Sequence, residues 1–207
     1  MENSQKIKIF SPLPPENIFS IPNVITLIRF VGSIVFFVLA ILEMNQTYNY
    51  IGLAIHWIGD VADGGYARLF KQETIFGAEI DIIADRVEFL FFYFIFLVFN
   101  PELALPVILF VVNFAFVDFY LSYQFLKFDL ISINHFYKVD KTVHRLNFGP
   151  IGKPVNTVVV TCTLIFFPQF WLFATVFALC LIVVKCYSIY RLHQLEPYKR
   201  RKAEKNA

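Results

Sequence analysis

The sequence predicts an all-α integral membrane protein with six transmembrane helices and both termini in the cytoplasm. Three observations carry that expectation. The 207 residues are 57% apolar and only 16% charged, with a mean hydropathy of +0.60, whereas a soluble domain carries about a quarter charged residues. Apolar stretches recur at a length that crosses a bilayer as a helix, about 20 residues. The connecting segments alternate between those free of Lys and Arg and those rich in them.

Taken in order, residues 1–22 mix apolar positions (Ile7, Ile9, Phe10, Ile18, Phe19) with polar ones. They read as a cytoplasmic segment, either lying on the membrane surface or partly ordered. No apolar core follows their basic residues, so a cleaved signal peptide is not expected. Apolar spans follow at 24–42, 50–70, 75–99, 103–125, 154–167 and 170–190, the fifth of them short. Helices are expected because lipid leaves backbone groups no partner outside a helix or a closed barrel. Segments 43–49, 100–102 and 168–169 lack Lys and Arg. Lys6, Lys8, Lys71, Lys127, Lys138, Lys141 and Arg145 fall on the opposite side, with a basic tail at 191–207. The chain thus reads as one membrane domain over 1–207, in the cytoplasmic (inner) membrane. Cys162, Cys180 and Cys186 have neither disulfide nor zinc spacing and read as small buried apolar residues. A net charge of +2 carries little information about nucleic acid, and no nucleic-acid partner is expected.

The chemistry-bearing residues are concentrated in one stretch. Asp60 and Asp63 are spaced i, i+3, and Asp81 and Asp85 are spaced i, i+4, so each pair shares a helical face. A short basic turn around Lys71 would bring both pairs together on the cytoplasmic side. Clustered carboxylates at membrane depth repel one another and lose hydration, which costs several kcal/mol; cations relieve both penalties. Hard oxygen donors suit Mg²⁺, Mn²⁺ or Ca²⁺. Gly64 and Gly77 remove side chains where a ligand could approach the backbone, and Arg68 is placed to meet a phosphate. The bland alternative, unrelated charges reaching for an interface, leaves the accompanying glycines and arginine unexplained.

At these residues the chain resembles the CDP-alcohol phosphotransferases. Their signature, D-x-x-D-G-x-x-A-R, eight residues, G-x-x-x-D-x-x-x-D, is complete from Asp60 to Asp85. The resemblance implies six spans and two metal ions, Mg²⁺ or Mn²⁺, held by Asp60, Asp63, Asp81 and Asp85. It implies Asp85 as general base, and Asp60, Gly64, Ala67, Arg68, Gly77 and Asp81 around the CDP moiety. It also implies a homodimer, with a CDP-linked lipid as donor and a small alcohol as acceptor. The expected reaction is phosphatidyl transfer from CDP-diacylglycerol to a polyol hydroxyl, with release of CMP.

Several features bear on the acceptor. Pro22-Asn23, Thr26 and Arg29 are similar to the opening of phosphatidylglycerophosphate synthases. Phe76-Gly77-Ala78 and Asp85-Arg86 look more like inositol-accepting members, and Glu79 resembles some phosphatidylserine synthases. Inositol or its phosphate is expected ahead of glycerol 3-phosphate or serine. Arg145 and Lys153 are candidates to hold an acceptor phosphate, against a reading in which that loop is a solvated basic surface. Gly152-Lys153 resembles the pair of glycerophosphate-type enzymes, which residues 154–157 do not continue. His56, one turn before Asp60, is placed to line the site, although hydrogen bonding within the bundle is commoner. Asp118 needs a partner, with Arg29 or Lys185 possible, and Lys185 lies where it can instead snorkel. A cation transporter is the rival from another class, since intramembrane carboxylates also mark ion paths. A non-catalytic membrane scaffold is a third reading.

Overall fold

The computed structural model describes residues 18–205, with side chains to residue 195. Most of the proposed surface-lying segment therefore falls outside the described residues. Three helices begin the fold, α1 (Ile21–Leu42), α2 (Gln46–Leu69) and α3 (Ile75–Phe99). A helical run interrupted by a π-helical turn follows: α4 (Ala104–Val112), the turn (Asn113–Asp118) and α5 (Phe119–Lys127). A loop region carries the short α6 (Lys141–Val143) and a second π-helical turn (His144–Phe148), before α7 (Gly152–Phe166) and the long α8 (Trp171–Lys205). No strand occurs among the described residues.

Local sequence accounts for the boundaries. Ser20, Asn45 and Thr74 cap α1, α2 and α3 by accepting from the backbone N–H of Asn23, Thr47 and Gly77, which relieves first-turn donors. α1, α2 and α5 end with Met44, Lys71 and Asp129 in the left-handed region, at φ 44°, 54° and 52°. The following N–H groups of Asn45, Gln72 and Leu130 reach back to the carbonyls of Ala40, Ala67 and Phe125. Each is a Schellman ending, in which the reversal satisfies carbonyls that the helix leaves bare. The ending at Lys71 turns the chain between α2 and α3 within a few residues, as the spacing of the two acidic pairs requires.

α1 packs along α2 and against α3, and α8 packs on α4 and α7. The buried apolar side chains form two clusters. One joins Phe37, Leu53, Phe92 and Phe96 to Phe110 and Leu164; the other joins Ile82, Leu121, Phe125 and Phe136 to Phe148 and Leu192. Asp85 lies on α3 between Ile82 of the second cluster and Phe89 of the first. Some polar groups near the cores are paired: Tyr93 with Thr161 at 2.7 Å, and the Asn49 amide nitrogen with the Phe92 carbonyl at 3.1 Å. At the loop end, Arg191 Nε donates to Asp140 Oδ2 at 2.8 Å. Burial alone would raise the Asp140 pKa, but the backbone N–H groups of Val143 and Thr142 and the Arg191 guanidinium hold it below the usual carboxylate range.

Three helical stretches are long and apolar enough to cross a membrane, Ile21–Leu42, Pro101–Lys127 and Pro168–Leu195. Their outward faces carry Leu27, Ile28, Val31, Leu172, Phe173 and Val183, all exposed, and apolar patches of that extent mark contact with lipid or a partner. α2 and α3 have the length but carry the acidic residues. α7 has 15 residues, about 22 Å of helix. One open reading closes and one expectation needs correction. Lys185 does not snorkel: its side chain is 1% exposed and its ammonium is paired with Asp118, because α8 turns that face toward the bundle. Cys180 and Cys186 are exposed on α8 and Cys162 is intermediate, so none of the three is fully buried.

Gly52 decides how closely α1 and α2 approach. A Cβ there would lie 2.5 Å from a ring carbon of Phe37, whereas one at Gly32 would lie 3.5 Å from Ile55. Gly52→Ala should therefore cost about 1–3 kcal/mol through overpacking and lower the thermal midpoint in detergent. Gly32→Ala should leave it nearly unchanged.

Candidate functional site

The site forms where one face of α1 meets the acidic faces of α2 and α3. Pro22, Thr26 and Arg29 recur at helical spacing along α1 and are all buried. Thr26 Oγ1 donates to Asp63 Oδ2 at 2.8 Å. The Arg29 side chain, 1% exposed, sits among five carboxylates. Its Nη1 lies 3.6 Å from Asp60 and 3.7 Å from Asp63. Its Nη2 lies 3.4 Å from Asp81, 3.1 Å from Asp85 and 3.4 Å from Glu88. Gly59 makes room for this stem, since a Cβ there would lie 2.3 Å from Arg29 Cγ.

Two further contacts complete the cluster. Lys153 Nζ, from the start of α7, reaches Asp60 at 3.3 Å. His56 Nδ1 lies 2.9 Å from Glu88 Oε2, so the histidine is bonded within the bundle while its ring still lines a cavity. Oxygens of Asp60, Asp63 and Asp81 fall within 4.8 Å of one another, and ligand atoms of His56, Asp85 and Glu88 form a second such group. The four aspartates therefore converge, but Asp85 is grouped with His56 and Glu88. The donors fit a divalent ion: they are hard carboxylate oxygens, and Glu88 Oε1 is buried without a hydrogen-bond partner.

Two cavities flank the cluster. The first, of about 620 Å³, is lined by Asn23, Asp63, Gly64, Arg68, Gly77 and Asp81, among others. The second, of about 600 Å³, is lined by His56, Asp60, Asp85, Arg86, Asp118 and Asn147, among others. Asp81 and Lys153 line both. The six residues expected around a CDP moiety divide between them: Gly64, Ala67, Arg68 and Gly77 line the first, Asp60 the second and Asp81 both. The glycines also have local reasons. A Cβ at Gly77 would lie 2.7 Å from Asn23 Oδ1, and one at Gly64 would lie 3.1 Å from an Arg68 nitrogen. Of the two acceptor candidates, Lys153 enters the site. Arg145, exposed in its π-helical turn, lines neither cavity.

Asp118 has a different partner from one expected. Arg29 is engaged elsewhere, and Arg86 joins Lys185 on the Asp118 carboxylate. The Arg86 guanidinium also lies over the Phe114 ring at 3.8 Å. Glu88 was legible in principle, because it stands at i+3 from Asp85 and i+7 from Asp81 on one face. Arg29 as the hub carried no such signal.

One family model, CDP-alcohol phosphatidyltransferase, matches residues 19–189. Neither a curated protein nor a solved structure matches the chain.

Replacing Arg29 leaves five carboxylates without their central cation. Removing one partner of a buried ion pair costs about 3–5 kcal/mol. Arg29→Met should accordingly lower the thermal midpoint in chelator, and added Mg²⁺ should restore more stability to the variant than to the wild type. Scanning calorimetry or a thermal-shift assay in detergent reads both.

Proposed function

Since the chain belongs to the CDP-alcohol phosphatidyltransferase family, an enzyme family of lipid synthesis, we propose that it transfers a phosphatidyl group from CDP-diacylglycerol to a polyol hydroxyl. The single observation that supports this most is the aspartate cluster standing between two cavities that share Asp81 and Lys153. Family membership also removes the transporter and scaffold readings.

In this reading the donor occupies the first cavity, where Gly64, Ala67, Arg68 and Gly77 surround the CDP group and Arg68 meets a phosphate oxygen. The acceptor occupies the second, which Asp85 lines and the first does not. Asp85 takes the proton of the acceptor hydroxyl as its oxygen attacks the lipid-bearing phosphorus. The bond from that phosphorus to the CMP oxygen breaks, and CMP leaves. Lys153 lines both cavities, next to the transferring group. Mg²⁺ or Mn²⁺, as two ions on Asp60, Asp63, Asp81 and Asp85, would offset charge building on the pyrophosphate oxygens. Arg29 keeps those carboxylates gathered.

The acceptor we favour is inositol or another polyol. Both cations lining the second cavity are engaged, Lys153 by Asp60 and Arg86 by Asp118, which disfavours a site built for a phosphorylated acceptor. Glycerol 3-phosphate is the second reading, because Lys153 is 41% exposed at its side chain and can exchange its partner; Arg145 would then act at the rim. The rest of the proposal is architectural. One domain spans residues 1–207, with six spans, both termini and the site on the cytoplasmic side of the inner membrane, and a homodimeric assembly.

CMP release from CDP-diacylglycerol against a panel of acceptors tests the assignment. Asp85→Asn, nearly isosteric but unable to take the proton, should lower turnover by about 10²–10⁴-fold with nucleotide binding retained; near-normal turnover would remove Asp85 from that role. Activity should vanish in EDTA and return with Mg²⁺ or Mn²⁺. Full activity after thorough chelation would sink the metal assignment.

A further inference from the structure

The wall of the second cavity holds a polar side chain that the proposed reaction does not use. Asn147 lines it and is 2% exposed. Its Nδ2 donates to the Val143 carbonyl at 3.0 Å and to Ser188 Oγ at 2.8 Å. Ser188 in turn donates its hydroxyl proton to the Val184 carbonyl at 2.9 Å. Both partners of the Asn147 amide are thus pure acceptors, a carbonyl and a hydroxyl whose proton is committed. The orientation of the amide follows from the network: the nitrogen must face them and the oxygen must face away. That oxygen is buried and has no hydrogen-bond partner among the described residues.

A buried bare acceptor costs about 1–3 kcal/mol unless a donor reaches it. The same cavity holds the reverse case, Trp57, whose Nε1–H is buried and unpartnered. Phosphate and carboxylate oxygens could serve Trp57 but have no proton for Asn147, and an ammonium could serve Asn147 but not Trp57. A hydroxyl both donates and accepts. Arg86 Nε is a further unpartnered donor, but its guanidinium is already held by the Asp118 carboxylate.

Building on the assignment of this cavity to the acceptor, we propose that Asn147 is a specificity-determining residue. Its Oδ1 accepts a hydrogen bond from a hydroxyl of the acceptor other than the one that attacks. The acceptor is therefore a molecule with at least two hydroxyls, uncharged where it meets Asn147. The π-helical turn His144–Phe148 supplies the geometry, carrying Asn147 inward while Arg145 stays exposed.

The experiment is CMP release by the purified full-length enzyme with CDP-diacylglycerol, using myo-inositol, its monodeoxy analogues, glycerol 3-phosphate and serine. One monodeoxy analogue should show a KM about tenfold above that of inositol in the wild type. In Asn147→Leu the KM for inositol should rise by a similar factor, and that analogue should suffer no further penalty. The donor KM should not move. Ser188→Ala loosens the same network but keeps Oδ1 in place, so it should retain the discrimination; if Asn147→Leu fails to fold, this variant and the wild-type analogue series still decide. Equal use by the wild type of every monodeoxy analogue that keeps the attacking hydroxyl overturns the proposal, as does an analogue penalty unchanged in Asn147→Leu. Exclusive turnover of serine overturns it too. Absence of CMP release with every acceptor is a different failure, because it removes the transferase reading on which the proposal rests.

Discussion

A guanidinium sealed from water among five carboxylates is tolerated only if its partners are held within reach, and that requirement organises the first three helices. Arg29 is 1% exposed at its side chain and touches carboxylates from both α2 and α3. If α1 moved away, the buried cation would lose its anions and the carboxylates their central charge. The neighbouring residues serve the same contact. Gly59 leaves the space that the arginine stem fills, and Thr26, one turn earlier, donates to Asp63. Gly52 lets the two helices close further along.

The same electrostatic logic divides the site into two regions. On the α1 side, Arg29 and Lys153 are outnumbered by five carboxylates, an excess of negative charge that suits divalent ions and the pyrophosphate they would carry. Around Asp118 the balance reverses, with Arg86 and Lys185 on one carboxylate. Lys153 lies between the regions and lines both cavities. In the proposed reaction, a donor carrying concentrated negative charge and an acceptor read through hydroxyls would occupy separate compartments that meet at Asp81.

Parts of this site were legible in the chain and parts were not. The aspartate spacings place each pair on one face, and the short turn at Lys71 brings the faces together, because helical geometry and a Schellman ending are local properties. Glu88 shares that face and could have been read from the same periodicity. Arg29 could not, since an arginine seven residues after a proline has many possible partners and the choice is made by a neighbouring helix. Lys185 admitted two readings, a partner for Asp118 or a lysine reaching water, and the structure takes the first, because which face of an apolar helix turns outward depends on packing.

The sequence by itself determined the helical class, the apolar stretches, the acidic motif and the family to which that motif belongs. These follow from composition, from a 3.6-residue period and from residue types at set spacing, all properties of contiguous chain. Only the tertiary structure decided that Asp85 groups with His56 and Glu88, that Asp118 is held by Arg86 and Lys185, and that Asn147 turns a bare oxygen toward the interior. Each of these depends on a contact between residues at least 32 positions apart in the sequence. The free energy of such a contact depends on whether both groups are buried together, and burial is set by how helices far apart in the chain pack.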